Sequence, residues 1–208
     1  MFGIRDFGLF LVAGILLNLT PGPDTVYILG RSIAQGREAG VASALGISLG
    51  SIFHTCAAAL GLSAILATSA IAFGVIKLLG GAYLIFLGIK MILDRRKQLS
   101  LPSKFRRRTT IAAFRQGILT NIFNPKVALF FLAFLPQFID PASNAKVPAF
   151  ILLGLTFVTT GTIWCLILAW FASVFSERFR NNETISHWLN RTAGALFVFL
   201  GLRLATAK

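Results

Sequence analysis

The sequence is poor in charged residues, above all in acidic ones. Only 13% of its 208 residues are charged, and Asp and Glu number 7 against 20 Lys and Arg. Soluble domains carry about 25% charged residues, so this composition, with 56% hydrophobic residues, excludes an ordinary water-soluble globule. The formal net charge of +13 does not indicate nucleic-acid binding, because the basic residues are not spread over a solvated face.

Long stretches of the sequence contain no Asp, Glu, Lys or Arg at all, notably residues 39–76 and 147–176. Charge-free apolar runs longer than about 18 residues are typical of membrane spans. We identify six hydrophobic segments, at residues 7–29, 40–67, 71–93, 111–138, 148–174 and 187–206. The sequence therefore predicts an all-α polytopic membrane protein, a single membrane domain over 1–208 with six transmembrane helices.

Cysteine is almost absent, and each of the two, Cys56 and Cys165, lies inside an apolar run. No disulfide framework is predicted. An intramembrane thiol redox carrier stays an alternative function, although small buried residues are the commoner role of such cysteines. The sequence shows no cluster of metal ligands and no Ser/His/Asp arrangement, so we predict no metal, no cofactor and no enzyme activity.

The second half of the sequence repeats the first. GAYLIFLGIK at Gly81–Lys90 aligns with GALFVFLGLR at Gly194–Arg203, and GILLN at Gly14–Asn18 aligns with GILTN at Gly117–Asn121. Because each half has three spans, an odd number, the halves are predicted to be inverted repeats, an architecture that recurs in transporters. A duplicated scaffold without a transport role is the alternative. The predicted parts are a first repeat, a basic linker and a second repeat, at residues 1–93, 94–110 and 111–208.

The basic linker predicts the orientation. Seven of the 20 basic residues lie between Arg95 and Arg108. Cytoplasmic loops carry the excess of Lys and Arg, so we place the linker in the cytoplasm and both termini outside. The linker can also contact anionic lipid headgroups.

The first candidate site lies in the first hydrophobic segment, at Pro21, Gly22 and Pro23. Proline removes a backbone donor and clashes with the preceding turn, so these residues are predicted to break the helix. A broken span exposes free carbonyls and amides that can hold a small zwitterion. We therefore interpret them as substrate-binding or coupling residues, with a plain loop as the alternative.

Asp24 follows the break directly and is the only carboxylate between Asp6 and Glu38. An acidic group within a membrane is costly, and it indicates a functional role. Here it would bind a substrate ammonium, or load and release a proton. The alternative is an N-cap of the helix that restarts at Thr25.

A second candidate site lies at the corresponding place in the second half, at Asn121, Asn124, Pro125 and Lys126. Pro125 is predicted to break the helix there, as the prolines do in the first half. A base beside Asp24 would lower the cost of burying both charges. It would also pair with a substrate carboxylate. The alternative is that the Lys126 side chain extends along its stem to the membrane interface.

Four further residues are weaker candidates for the site. Ser51 and His54 lie in the second segment, whose small residues predict close helix packing. A proton relay through His54 is one interpretation, but the sequence shows no partner, so we favour packing or a hydrogen bond. Asn18 and Arg115 complete the group.

The sequence resembles the lysine exporter family, in its resistance-to-homoserine/threonine branch, over essentially the whole chain. The resemblance rests on the repeated glycine motif above and on further motifs. These are NLTPGPD at Asn18–Asp24, RSIAQGREAG at Arg31–Gly40, ALGI at Ala44–Ile47, FRQG at Phe114–Gly117, Asn121, and NPK at Asn124–Lys126.

The resemblance implies export of amino acids across a bacterial inner membrane, driven by proton exchange and without a cofactor. Relatives that export lysine or arginine tend to have glutamine in place of Asp24, and acids where this chain has Ser51 and Phe130. A dibasic substrate needs an additional counter-charge, so we expect a neutral amino acid such as homoserine, threonine or leucine. Export of another small solute or cation stays the alternative, and a homo-oligomer is left open.

The predicted topology can be tested with reporter fusions. A fusion after residue 100 should report a cytoplasmic location, and a fusion after residue 142 an external one, because the positive-inside rule places the basic linker inside. Two fusions that report the same side would contradict the inverted repeats.

Overall fold

Helices make up the described part of the chain, which comprises residues 2–68, 70–93, 109–172 and 183–206 of a computed structural model. The α-helices are α1 (Phe7–Leu19), α2 (Pro23–Gln35), α3 (Arg37–Ala57), α4 (Ser63–Thr68), α5 (Ala70–Leu93), α6 (Thr110–Ile122), α7 (Pro125–Leu129), α8 (Lys146–Trp170) and α9 (Glu183–Thr206). Two π-helical turns and one 3₁₀ turn continue α3 and α7, at Ala58–Leu62, Phe130–Phe134 and Leu135–Phe138. The all-α class is thereby confirmed. Most of the predicted basic linker lies outside the described residues.

Two of these helices are long and apolar enough to cross a membrane, at Arg37–Ile65 and Lys146–Trp170. The number rises to four if each of two bent pairs counts as one span. The third and sixth predicted segments contain shorter apolar helices, at Leu78–Leu93 and Arg191–Leu202. The described residues therefore contain between two and four candidate spans by length, and six remains a prediction.

The two bent pairs are interrupted where the sequence predicts a helix break. α1 and α2 meet at 46° around Pro21 and Gly22, and α6 meets the segment that begins at Pro125, also at 46°. Each second member begins with a proline, whose missing N–H is not needed in the first helical turn. The predicted breaks are thus confirmed as structural features.

Repeated glycines bring α5 and α9 into close contact. A Cβ placed on Gly88 would lie 2.5 Å from the carbonyl oxygen of Gly194, and one placed on Gly201 would lie 2.7 Å from that of Gly81. These pairs run in opposite order along the two helices, so α5 and α9 are antiparallel. The last glycine of each motif therefore packs against the first glycine of the other. Only glycine permits the two backbones to approach so closely.

Side-chain contacts give the relative directions of further helices. α3 and α6 run parallel, because Ser43 lies against Gly117 and Ser51 bonds to Asn121. α3 and α8 run antiparallel. The contacts that show this are Thr55 with Gly154 and Ser48 with Thr162.

The buried apolar residues form two clusters on either side of the first helix break. The larger cluster contains phenylalanines of α1, of the segment after Pro125 and of α8. Phe10, for example, lies edge-to-face against Phe138, with 5.3 Å between ring centroids. The smaller cluster contains Tyr27 and Ile28 of α2 with parts of α3 and α8. Because Phe10 precedes the break and Tyr27 follows it, the break lies between the clusters.

The first residues of the chain pair with the loop that precedes α8. The N–H of Arg5 donates to the carbonyl of Phe138, and the N–H of Asp140 donates to that of Gly3, both at 2.8 Å. The Arg5 guanidinium lies 2.5 Å from the Asp140 carboxylate. The main-chain N–H of Ala142 and this guanidinium hold the pKa of Asp140 below its usual range. This pairing ties the start of α1 to the end of the second bent pair.

We expect Gly88→Ala to destabilise the protein, because its Cβ would meet the Gly194 backbone. Overpacking of this kind costs about 1–3 kcal/mol, and the melting temperature in detergent should fall. Gly74→Ala is the matched control in the same helix, since a Cβ there meets nothing within 4 Å. Equal melting temperatures for the two variants would contradict the close packing of α5 against α9.

Candidate functional site

The break after α1 leaves main-chain carbonyls without helical partners. The carbonyl of Leu17 would accept the N–H four residues on, but that residue is Pro21, which has none. Lys126, from the second break, provides the donor: its Nζ donates to the carbonyl oxygens of Leu17 at 2.9 Å and Thr20 at 2.7 Å. A cation at a helix C-terminus is also favoured by the helix dipole. One side chain therefore joins the two breaks.

Asp24 belongs to a chain of polar groups from three helices, α2, α3 and α6. Its Oδ2 accepts a hydrogen bond from Nδ2 of Asn121 at 2.8 Å, and Oδ1 of Asn121 accepts one from the Ser51 hydroxyl at 3.1 Å. Nε2 of His54 lies 3.2 Å from the main-chain oxygen of Asn121. Gly50 makes room for this amide, since a Cβ there would lie 2.8 Å from that of Asn121. Asn121, 1% exposed, is thus the centre of the network.

Some hydrogen-bonding capacity in this network is unused. Oδ1 of Asp24 is buried and, among the described residues, has no hydrogen-bond partner. Lys126 and His54 lie close enough to act electrostatically on this carboxylate. Lys126 forms no ion pair with Asp24 in the described structure, since its ammonium donates to the two carbonyls instead. A buried acceptor beside a cation site is the arrangement that an additional ammonium group would complete.

The second break presents a complementary donor. Oδ1 of Asn124 caps α7 by accepting the N–H of Lys126 at 3.0 Å. Its Nδ2 is buried and faces the Asp24 carboxylate closely enough to act on it as a donor, but the contact falls outside the geometry of a regular hydrogen bond. The site therefore contains an acceptor and a donor that face each other without a regular hydrogen bond, and a substrate could engage both.

These groups line one cavity at mid-length of the helices. Its volume is about 40 Å³, room for about three water molecules at roughly 10–15 Å³ each. The polar residues in its wall are Asn18, Asp24, Thr25, Ser48, Ser51, Asn121, Asn124, Lys126, Thr162, Trp164 and Cys165. A cavity this small does not hold an amino acid, so the described conformation is a contracted one.

The structure corrects one interpretation of Asp24. α2 begins at Pro23 with Gly22 as its N-cap, and no side chain caps it. The alternative that Asp24 caps a helix restarting at Thr25 is therefore wrong. The physical reason is that proline is favoured in the first helical position, so Asp24 lies inside the first turn with its carboxylate bonded to Asn121.

The other predicted residues differ in their placement. Gly22 lines the cavity against Lys126, and Asn18 lines it while donating to the Thr160 hydroxyl at 3.2 Å. Pro21, Pro23 and Pro125 are not in the wall and lie at the helix breaks. Arg115 is exposed and away from the cavity. The Lys126 ammonium points to α1 and not to the membrane interface.

The two cysteines are not brought together. Cys165 lines the cavity and is buried, whereas Cys56 is exposed on α3, and both are free thiols. Phe130 packs among the phenylalanines of the larger cluster, 4.7 Å from Phe134 between ring centroids. Among the described residues, no three His, Cys, Asp or Glu side chains are grouped as metal ligands.

Sequence reasoning missed the contribution of α8 to the site. The Thr162 hydroxyl donates to that of Ser48 at 2.7 Å, and Trp164 and Gly161 lie in the cavity wall. The available signal was the run of hydroxyl residues at Thr156, Thr159, Thr160 and Thr162 in a segment otherwise apolar. Such residues face polar cavities or neighbouring helices in membrane proteins.

Two interrupted helices around a polar cavity at the helix breaks are typical of a secondary transporter. The comparisons agree with this class. Residues 15–208 match the family model of the LysE type translocators. The chain belongs to this family, which confirms the resemblance seen in the sequence, and it is a multi-pass membrane protein.

Relatives of similar length are found in several bacteria. A membrane protein of Vibrio cholerae named as uncharacterized is 31% identical over 201 residues, which cover 96% of each chain. A protein of Klebsiella pneumoniae named as a leucine efflux protein is 30% identical over 209 residues, 100% of this chain and 98% of the relative. A membrane protein of Pseudomonas aeruginosa, also named as uncharacterized, is 29% identical over 209 residues, 99% of this chain and 97% of the relative. No solved structure matches the chain.

We expect the double variant Pro21→Ala/Pro23→Ala to keep its abundance in the membrane but lose transport. The alanines restore the N–H groups that α1 lacks, so the Leu17 carbonyl is satisfied within a continuous helix. A hydrogen bond to a charged group contributes about 1.5–3 kcal/mol, so efflux should fall about tenfold or more.

The matched control is Pro148→Ala, in the first turn of α8, where the missing N–H has no helical partner in any case. Its efflux should equal that of the parent. Parental efflux from the double variant as well would show that the break has no role in transport.

Proposed function

We propose that this protein exports neutral amino acids of the leucine type across a bacterial inner membrane in exchange for protons. The observation that carries the proposal is the buried Asp24 carboxylate with an unused oxygen, beside the freed carbonyls of the first break. Membership of the translocator family and the relatives named as leucine efflux proteins support it.

In this proposal the substrate binds as a zwitterion. Its ammonium donates to Oδ1 of Asp24, and its carboxylate accepts from Nδ2 of Asn124, because these are the acceptor and donor that lack a regular hydrogen bond. The side chain lies toward Phe157, Val158 and Ile47, which form an apolar part of the wall. That wall favours an aliphatic side chain and offers no second carboxylate for a dibasic one.

Transport requires the cavity to open alternately at its two ends. The apolar clusters on either side of the first break are the candidate gates, the larger one also tied by the Arg5–Asp140 pair. The antiparallel contact of α5 with α9 and the directions of α3, α6 and α8 support six alternating crossings in two inverted repeats. Inverted repeats supply two related conformations for such rocking.

An export assay tests the substrate. Cells that overproduce the protein are supplied with dipeptides of single neutral or basic amino acids, and the free amino acids that appear outside are measured. We expect faster release of leucine or a related neutral amino acid, and unchanged release of lysine and arginine. Unchanged release of every amino acid would contradict the proposed function, and faster release of lysine alone would contradict the neutral substrate.

Asp24→Asn tests the charge of this residue. The amide keeps the size of the side chain and can still accept from Asn121, so stability should stay near that of the parent. The charge that would hold a substrate ammonium is lost. A hydrogen bond to a charged group contributes about 1.5–3 kcal/mol, so efflux and substrate exchange should both fall about tenfold or more.

The control is Glu38→Gln, which removes an exposed carboxylate in the first turn of α3, outside the cavity. It should transport at the parental rate. An Asp24→Asn protein that exports as fast as the parent would show that the carboxylate charge is not needed for transport.

A further inference from the structure

Lys126 binds the kind of main-chain group that holds a coupling cation in other transporters with interrupted helices. In such proteins, unwound carbonyls and the C-terminal ends of half-helices coordinate the sodium ion or proton that drives transport. Here the equivalent carbonyls, those of Leu17 and Thr20, accept hydrogen bonds from the Lys126 ammonium at 2.9 and 2.7 Å. The cation site is therefore filled by a group of the chain itself.

The position of Lys126 matters for the charge balance of the contracted cavity. Its wall contains the Asp24 carboxylate, and a buried charge without a compensating charge is costly within a membrane. In the empty cavity the compensation comes from Lys126, and in a loaded cavity the substrate ammonium would supply it. About 40 Å³ is too little for an amino acid, so the wall of the cavity, which includes Lys126, must move before a substrate binds.

We propose that the Lys126 amino group is a tethered carrier of the coupling proton, and that its ammonium alternates with the substrate ammonium beside Asp24. In the empty protein, Lys126 takes up a proton from the outside and binds the carbonyls of Leu17 and Thr20. When substrate enters from the inside, Lys126 releases that proton to the cytoplasm and leaves the carbonyls. One proton thus moves inward for each zwitterion exported. This inference rests on the proposed function.

The surroundings of Lys126 are compatible with such a movement. Asp24 and Cys165 are the titratable groups that act on it electrostatically. Gly22 has no side chain beside the lysine, and a Cβ there would lie 3.4 Å from Nζ and 3.6 Å from Cε. The ammonium is bound only by main-chain oxygens, so its release breaks no ion pair within the described residues.

The proposal separates two modes of transport. Net efflux requires the empty protein to return, and without Lys126 it would return with an uncompensated Asp24. Exchange of internal for external substrate needs only the loaded protein, in which the substrate ammonium compensates Asp24. A neutral residue at position 126 should therefore abolish net efflux and preserve exchange.

The test uses proteoliposomes loaded with radiolabelled leucine. Net efflux is measured into leucine-free buffer with an acidic outside, and exchange is measured with excess unlabelled leucine outside. Lys126→Gln keeps a hydrogen-bond donor for the two carbonyls but removes the charge and the proton. We expect its net efflux to fall about tenfold or more, with exchange close to that of the parent and no stimulation by the proton gradient.

Two further variants complete the design. Lys126→Met removes the donor as well and replaces Lys126→Gln if that variant does not insert. Lys146→Gln is the matched control, because the Lys146 amino group also donates to a main-chain carbonyl, that of Ser143 at 2.9 Å, but outside the cavity. It should keep both modes, whereas Asp24→Asn should lose both.

The outcomes are distinct. If Lys126→Gln loses net efflux and exchange equally, the lysine is a binding or structural group and the inference is overturned. Parental net efflux from this variant also overturns it. If the parent protein itself transports no neutral amino acid in either mode, the proposed function fails, and the inference fails with it.

Discussion

The residue at position 21 has no backbone N–H, so the carbonyl of Leu17 cannot be satisfied within its own helix. An unsatisfied carbonyl is costly within the hydrocarbon region of a membrane, because bulk water does not reach it there. The missing donor is provided by the ammonium of Lys126, which lies in the other bent helix pair and is distant in the sequence. The position of Lys126 brings a positive charge into the interior, and that charge lowers the cost of keeping the Asp24 carboxylate there.

The two halves of the protein are joined by the contact of Lys126 with Leu17 and by a second polar contact. Asn121 contributes its side-chain donor to Asp24 and its acceptor to Ser51, so one amide links α6 to α2 and α3. Such a network is sensitive to small displacements, because each hydrogen bond depends on the position of another element. Glycines make it possible by allowing backbones to approach: Gly50 accommodates Asn121, and Gly46 accommodates the backbone of Phe114.

The polar site is enclosed by apolar contacts above and below. Phenylalanines pack on one side of the break, and Tyr27, Ile28 and their neighbours pack on the other. These clusters consist of apolar side chains, whose contacts depend on shape and are individually weak. An interior of this construction suits a protein that must open one end while the other stays closed.

The sequence by itself determined the helical membrane class, the helix breaks and the identity of the charged residues near them. Those features follow from local chemistry: charge-free runs, prolines without an N–H, and an acid and a base beside them. Only the tertiary structure decided which groups meet. It directed Lys126 to the carbonyls of α1, made Asn121 the partner of Asp24 and placed the hydroxyls of α8 in the wall. These contacts join residues about a hundred positions apart, and their distances depend on how whole helices pack, which no local pattern encodes.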